Sequence, residues 1–444
     1  MAAALAGAGA IVAAQIAEEE GGVRAIAGLD MRLEFDDGDT EFRTGLDLDV
    51  ISATRTQRLS FSGDFGIRVP LDDPGAAELR DPRYGIAYLR DTGVSRLTLG
   101  AEYGRRDLDG NSAPDDGLPF DEDDLLFING GTEERTRVTA SLETGLIDPI
   151  GVELRYSFDE RLYSNGADPD LEDTTREELG VALRFDVNRT LRVGTQLSWS
   201  VEDQGNGPIP DRDERFSAGF DVTWQALPEL EVTGELSYAR IDSEALVMGV
   251  AVQSDRDGTN LRFGARLDRP NGDLSVDFGR DLNTTGSVTT LDVTRSLALP
   301  RSAQLDVTLG AAELPSGSVY GTGAIRYAQD TRLGSLSASF SQTATINGDD
   351  EEVLRRIFQS AYAMDLPREA RFGVSGQFTD SEIVQGLDPD ITSARIAVDY
   401  SRPLTEDWSF GAGASWQRTR EAGGAESTDN RLFLTLERRF TFRR

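Results

Sequence analysis

The final residues of the chain, 429–444, read DNRLFLTLERRFTFRR and alternate between apolar and polar side chains. The apolar members share one parity, namely Leu432, Leu434, Leu436, Phe440 and Phe442, and the polar members Arg431, Thr435 and Arg439 share the other. A period of two is typical of a β-strand with two unlike faces. An edge strand with such an apolar face would promote aggregation in water unless it were paired or covered. The pattern therefore predicts a strand whose apolar face contacts something other than water.

The same alternation recurs along the chain in segments of about ten residues, the length of a membrane-spanning strand. Clear examples are LRVGTQLSWSV at 191–201, LRFGARL at 261–267 and WSFGAGASW at 408–416. We count about 22 such segments, an even number of the kind that bacterial outer-membrane barrels have.

The connections between these segments alternate in length. Short ones include 54–57, 91–94 and 187–190, and long ones include 70–82, 107–135, 161–177 and 242–259. A soluble sandwich has no reason to keep this order, whereas a membrane barrel with periplasmic termini does. We therefore predict an all-β protein, a transmembrane antiparallel up-and-down β-barrel of about 22 strands, with short periplasmic turns, long extracellular loops and both termini in the periplasm. Closure would pair every backbone group within the hydrocarbon.

The N-terminal segment, residues 1–17, reads MAAALAGAGAIVAAQIA and has the small apolar residues of a secretory signal peptide. It lacks the basic residues that precede the apolar core of such signals, so a flexible Ala/Gly tail or short helix is the alternative. We expect residues 18–444 to form one barrel domain. Because the first strand is expected near Val23, we predict no plug domain inside the barrel.

The composition argues against several classes of function. The chain has no Cys and no His, and its 45 basic residues are all Arg. These absences remove thiolate and imidazole metal ligands, Ser-His-Asp triads and Schiff-base lysines. A formal net charge of −33 argues against nucleic-acid binding. We therefore expect no enzymatic activity, no cofactor, no metal and no nucleic-acid partner, and the sequence indicates no oligomeric state.

The predicted long loops are acidic, notably at 114–124 and 168–173. Their carboxylates could bridge calcium, but their spacing is not that of an EF-hand. Solvated loops whose charges repel one another are the interpretation that we favour.

The four Trp residues fall near predicted strand ends. Trp224 and Trp408 flank short turns, whereas Trp199 and Trp416 lie toward long loops. These positions suit the aromatic girdles found at the two membrane interfaces. Packing in the core of a soluble protein is the alternative.

The face opposite the apolar residues carries Arg together with Asp and Glu. The residues that we predict to line the lumen and affect solute selectivity are Arg32, Asp47, Arg68, Arg155, Arg184, Arg262, Arg266, Asp268 and Arg395. A hydrated lining without a selected substrate is the alternative. Arg295 and Arg438 fall on the apolar parity, where a bulge near Arg295 or snorkelling toward the interface would accommodate them.

The stretch NRLFLTLERRF, residues 430–440, resembles the last strand of outer-membrane β-barrel porins of Gram-negative bacteria. In that family the terminal aromatic is the signal for the assembly machinery. Either Phe440 or Phe442 matches it here, because the chain continues to Arg444. The resemblance implies an integral outer-membrane protein that contacts outer-membrane lipids, lipopolysaccharide and the assembly machinery.

These patterns favour a channel that passes small hydrophilic solutes or ions, or the outer-membrane component of an export system. A structural or surface-binding barrel whose lumen is occluded by the 108–134 loop is one alternative, and a secreted all-β adhesin or sandwich array is another. A barrel of this size also resembles that of the TonB-dependent transporters, which fill the lumen with an N-terminal plug domain.

Overall fold

The computed structural model describes residues 22–36, 39–71, 77–107, 131–164, 172–205, 211–247, 250–347, 351–386, 389–424 and 426–443. The predicted signal-like segment 1–17 and the acidic stretch 114–124 lie outside the described residues. So do most of the 108–134 loop and the first part of the acidic stretch 168–173.

The described chain forms 22 β-strands in one sheet. They are β1 Gly22–Asp36, β2 Asp39–Ala53, β3 Gln57–Pro70, β4 Glu78–Asp91, β5 Ser95–Asp107, β6 Thr132–Thr144, β7 Ile150–Ser164, β8 Thr174–Asp186, β9 Leu191–Gln204, β10 Asp211–Leu227, β11 Leu230–Val247, β12 Val250–Arg269, β13 Gly272–Leu282, β14 Ser287–Leu299, β15 Ala303–Glu313, β16 Val319–Thr331, β17 Gly334–Ile346, β18 Glu352–Leu366, β19 Ala370–Gln385, β20 Ile391–Pro403, β21 Trp408–Glu421 and β22 Glu426–Arg443. A short 3-10 turn at Pro367–Glu369 joins β18 to β19. No helix among the described residues is long and apolar enough to cross a membrane.

The sheet closes on itself, because β1 pairs with β22 as well as with β2. The closing pair is antiparallel and runs without a register shift from Arg24 opposite Arg443 to Asp36 opposite Arg431. Every other strand pairs with its neighbours in the sequence, also antiparallel. The structure therefore has the closed antiparallel barrel and the strand number that the alternation predicts.

One parity in each strand is apolar and the other polar, and the register keeps like faces together. Asp30 lies opposite Gly45 and Glu437, whereas Met31 lies opposite Thr44 and Leu436. The apolar side chains are exposed, as in Leu309 (68%) and Phe220 (64%). So large an apolar surface is typical of a protein in contact with lipid rather than water. The apolar face is therefore the outer face, and the polar face lines the lumen.

The connections differ between the two ends of the barrel. At one end they are short, for example 228–229 and 270–271, and this end also carries the first residue of β1 and the last of β22. The longest connection at the other end separates Asp107 from Thr132.

One predicted loop, 242–259, is wrong. β11 continues to Val247 and β12 resumes at Val250, so most of this stretch is a paired hairpin. Arg240 lies opposite Asp257 and Ser243 opposite Ser254. Its outward-facing residues Arg240, Asp242, Asp255 and Asp257 are all polar, because this part of the hairpin lies beyond the apolar belt. The period-two signal therefore disappears although the backbone pairing continues.

Small apolar clusters lie inside the end with the longer connections. Leu282, at the end of β13, is buried with Ala239 and Ile241 of β11. Its backbone N–H donates to Asn260 Oδ1 on β12 at 2.8 Å. Ala239, Ile241 and Asn260 have the luminal parity, so the tip of the β13–β14 hairpin bends across the inner face of the extended β11–β12 hairpin.

A second contact of this kind joins the next hairpins. Ser316, in the β15–β16 connection, donates its backbone N–H and its hydroxyl to the two carboxylate oxygens of Glu352, both at 2.7 Å. Leu314 and Leu354 are buried together beside it. The hairpin tips on this side of the mouth are thus fixed to one another by packing and hydrogen bonds.

Candidate functional site

The polar inner face is the candidate functional site. The register places all of the predicted lumen residues on this face: Arg32, Asp47, Arg68, Arg155, Arg184, Arg262, Arg266, Asp268 and Arg395. It places Trp199, Trp224, Trp408, Trp416, Phe440 and Phe442 on the outer face. The roles proposed for these residues in selectivity, in the girdle and in assembly stay predictions.

A cluster of charged side chains lies on the luminal side of the closing seam, toward the end with longer connections. Its centre is Glu34 of β1, which is only 1% exposed. The Glu34 carboxylate lies 3.0 Å from Arg32 Nε and 2.9 Å from Arg43 Nη1. Glu41 of β2 pairs with Arg43 at 3.0 Å and with Arg68 of β3. Charge in this cluster is therefore neutralised locally.

The last strand joins the same cluster. Arg431 of β22 pairs with Asp429 at 2.7 Å and lies 3.9 Å from Glu34. The guanidinium of Arg32 lies over the Phe433 ring, 4.2 Å from its centroid, a cation–π contact. Ion pairs therefore connect β22, β1, β2 and β3 beside the hydrogen-bonded seam. We call these residues the seam cluster: Arg32, Glu34, Glu41, Arg43, Arg68, Asp429 and Arg431.

Other luminal Arg side chains are also paired. Arg135 and Arg137 share Asp159 at 2.9 and 2.7 Å. Among the predicted residues, Arg155 pairs with Glu153, Arg262 with Asp281 at 3.1 Å, and Arg266 with Asp268 at 3.3 Å.

Arg184 has a structural role at the end of the barrel with short turns. Its Nη2 donates to the backbone carbonyl of Gly145 at 2.6 Å, and its Nε lies 3.2 Å from Asp186. Gly145 adopts φ +69°, and a Cβ there would lie 2.1 Å from the Ile150 carbonyl oxygen. Arg184 therefore stabilises a tight turn that requires glycine.

A different surface lines β15 to β20. The inner face of β17 carries only hydroxyl side chains: Ser335, Ser337, Ser339, Ser341, Thr343 and Thr345. Gln359 and Gln377 follow on β18 and β19. Of these, Ser337, Ser339, Gln359 and Gln377 line a concave region of about 800 Å³ together with Gln304, Asp306, Arg326, Ser375 and Arg395. Of this set, only Arg395 was predicted from the sequence to line the lumen. Ser at every second position of SLSASFSQT, 335–343, is the pattern that could have indicated the hydroxyl-lined face.

On the outer face, aromatic side chains donate hydrogen bonds to carboxylates across three successive hairpins. Tyr156 Oη donates to Glu177 at 3.0 Å and Trp199 Nε1 to Glu214 at 2.8 Å. Tyr238 Oη donates to Asp257 at 3.2 Å. Each pair lies toward the end with longer connections and marks where the apolar belt gives way to polar residues, a typical place for interfacial aromatics.

The two outward Arg residues are accommodated in different ways. Arg438 lies over the rings of Trp408 and Phe440, 5.2 and 4.4 Å from their centroids. Arg295 lies opposite Leu274 and Val307 with no register shift in either strand pair, so the bulge proposed there is wrong.

No protein-family model matches the sequence, and neither does any curated protein. Solved structures do match the fold. The copper transporter OprC is 12% identical, with a TM-score of 0.60 over 95% of this chain and 82% of that one. The ferric-catecholate import receptor Fiu from E. coli K12, in its open form, is 14% identical with the same coverage and TM-score. The FrpB iron transporter from Neisseria meningitidis is 9% identical, with a TM-score of 0.60 over 96% and 82%. The fold is that of an outer-membrane β-barrel transporter.

These matches correct the prediction of a barrel without a plug domain. The matching structures are TonB-dependent receptors rather than small-solute porins. Outer-membrane transporters with 22 strands typically have a plugged lumen, whereas porins of about 16 to 18 strands leave an aqueous channel. The prediction assigned the chain to a plug-free class from the position of its first strand, and that assignment is wrong. The described residues themselves include no helical plug.

Proposed function

We propose that this protein transports small hydrophilic solutes or ions through its lumen, as an integral protein of the bacterial outer membrane. The observation that carries the proposal is the sustained difference between the two faces of the closed sheet. The outer face is apolar, and the inner face carries ion pairs, hydroxyls and amides that favour a hydrated lumen. We also propose that the protein has no enzymatic activity.

We further propose that both termini and the short turns face the periplasm. Outer-membrane barrels have short periplasmic turns and longer extracellular loops, which supports this orientation. The outer face would contact outer-membrane lipids, and the polar rim would contact lipopolysaccharide. A tag inserted at 187–190 should then be inaccessible to a label on intact cells, and a tag inserted at 165–171 should be labelled. Reversed labelling would contradict the orientation.

Phe440 and Phe442 are proposed to form the signal for the assembly machinery. Both lie on the outer face of β22, opposite Ala27 and Ala25 of β1. Replacing both by Ala should lower the amount of folded protein in the outer membrane, whereas the matched double change of Leu432 and Leu434 to Ala on the same face should have a smaller effect. Equal effects would argue for lost apolar area rather than for a signal.

The proposed function is tested by the conductance of refolded protein in planar bilayers. We expect stepwise conductance, with a weak cation preference at low salt, because the net charge is −33. Deletion of 108–130 is the companion measurement. If only the deletion variant conducts, the lumen is occluded by that segment. If neither conducts, passive passage is wrong.

Likeness to import receptors favours a second candidate, uptake that depends on binding a ligand and on a plug. Such a protein should show little conductance until a plug is displaced. A third candidate is that this barrel is the outer-membrane component of an export system. Conductance of the intact protein without denaturant would favour passive passage over receptor-type uptake.

A further inference from the structure

One row of side chains crosses the part of the inner wall that is rich in hydroxyls and amides. Asp306, Arg326, Ser339, Gln359, Gln377 and Arg395 are successive cross-strand partners on β15 to β20. Cross-strand partners lie at the same height in a sheet, and neighbouring strands are about 4.8 Å apart. The row from Arg326 on β16 to Arg395 on β20 therefore spans four strand spacings, or about 19 Å.

The Arg326 guanidinium is available to a solute. Its side chain is exposed, and it forms no ion pair with the part of the chain that the structure describes. Its direct cross-strand neighbour, Asp306, instead accepts hydrogen bonds from Gln304 Nε2, at 3.1 Å to each carboxylate oxygen. Arg43 of the seam cluster, by contrast, is held by the carboxylates of Glu34 and Glu41. Arg326 thus differs from Arg43 in having no ion-pair partner among the described residues.

The residues beside Arg326 can both donate and accept hydrogen bonds. Ser339 is its direct cross-strand partner, Ser337 lies next to it on the same face, and Gln359 follows in the row. Hydroxyls and amides supply donors and acceptors in one group, as the hydroxyls of a ligand require. The concave region of about 800 Å³ is within the size range of small-molecule sites.

We propose that Arg326, with Ser337, Ser339 and Gln359, forms a luminal binding site for a small hydroxylated monocarboxylate such as a sugar acid. The planar guanidinium binds a carboxylate through two parallel hydrogen bonds. The hydroxyl and amide side chains bind the hydroxyls of the same ligand. Asp306 lies beside the site, and its like-charge repulsion weighs more against anions of higher charge than against a monocarboxylate. This inference rests on the proposed function, since the ligand reaches the site only through the lumen.

The test is calorimetric titration of the refolded full chain in detergent micelles. The probe is gluconate, and sorbitol and sulfate are the comparators. We expect gluconate to bind more tightly than either, because sorbitol lacks the carboxylate and sulfate lacks the hydroxyls. Arg326→Gln should weaken gluconate binding about tenfold, since a charge-assisted hydrogen bond is lost. Arg326→Lys should lie between the two, because it keeps the charge without the planar fork.

Arg176→Gln is the matched control. Arg176 also has the luminal parity but lies on β8, 3.8 Å from Glu202, far from the row in strand order. It should leave gluconate binding unchanged. Heat-modifiable migration of each variant on a gel establishes that the barrel has folded. Equal losses for the two variants, or sulfate binding as tightly as gluconate, would overturn the proposed site.

Conductance of the same preparations separates this inference from the proposed function. If the protein conducts but does not bind gluconate, the site is wrong and passage through the lumen stands. If gluconate binds in an Arg326-dependent manner but nothing conducts, the site stands and passive passage is wrong. Binding that is unaffected by Arg326→Gln would reject the site in either case.

Discussion

The inner wall of this barrel has two polar halves that differ in what their side chains contact. On β22 and β1 to β8, Arg side chains pair with carboxylates, and the seam cluster connects four strands. On β15 to β20, hydroxyls and amides dominate, and Arg326 has no ion-pair partner among the described residues. On this second surface Arg326 is exposed, and no carboxylate of the described residues is bound to it. An Arg side chain on the inner wall is therefore available to a solute only where no carboxylate already binds it.

The largest difference between the halves should be in stability. Glu34 is almost completely buried and neutralises Arg32 and Arg43. Removing one member of a buried ion pair leaves an uncompensated charge, which typically costs about 3–5 kcal/mol. We expect Glu34→Gln to lower the free energy of unfolding by an amount in this range, measured by urea unfolding of the refolded barrel in micelles.

Ser339→Ala is the control on the hydroxyl- and amide-rich surface of β15 to β20. Its hydroxyl has the luminal parity and is only partly buried, so water can replace its contacts. The change should stay within about 0.5 kcal/mol of the original protein, as surface substitutions do. If Glu34→Gln and Ser339→Ala have equal effects, the seam cluster does not stabilise closure, and the contrast between the two halves is one of composition only.

The sequence predicts only part of this contrast, because facing and ion pairing have different physical causes. Alternation depends on lipid contact, so it predicted the strand number and placed Arg32, Asp47 and Arg395 on the inner face. Which Arg is neutralised depends on the cross-strand partner, and the register is set by the whole ring. The sequence therefore did not distinguish Arg43 from Arg326. Where β11 and β12 leave the lipid, the alternation ends and the extension was interpreted as a loop.

Ion selectivity should show an intermediate difference. Ser339→Asp adds a charge directly opposite Arg326, where the described structure offers no other ion-pair partner. We expect it to shift the reversal potential toward cations. The shift should shrink from 0.1 M to 1 M salt, because the Debye length falls from about 10 to 3 Å. Glu153→Gln, on the charged half beside Arg155, should cause a smaller shift in the opposite direction, since neighbouring charges compensate. A larger shift for Glu153→Gln would reverse the assignment of the available charge.

The smallest effect should come from a charged pair that resembles the seam cluster but is exposed. Arg418 Nε donates to Glu426 at 3.0 Å where β21 and β22 reach the end of the barrel with longer connections. This hydrogen bond lowers the pKa of Glu426 below its ordinary value. A carboxyl whose pKa is lower when folded stabilises the folded state above its unfolded pKa, and this contribution disappears as the pH falls through the folded pKa.

Glu426→Gln should therefore unfold at a slightly lower temperature than the original protein at pH 7, and the difference should shrink as the pH falls through the lowered pKa of Glu426. Unfolding can be followed by the loss of heat-modifiable migration on a gel. Because solvent screens exposed pairs, the effect at pH 7 should be far below that of Glu34→Gln. If Glu426→Gln and Glu34→Gln destabilise the protein equally, ion pairing rather than burial stabilises the strands with paired Arg residues. If the Glu426 difference persists unchanged below the lowered pKa of Glu426, it arises from packing rather than from the ionised carboxylate, and the pair is not a measure of charge pairing at all.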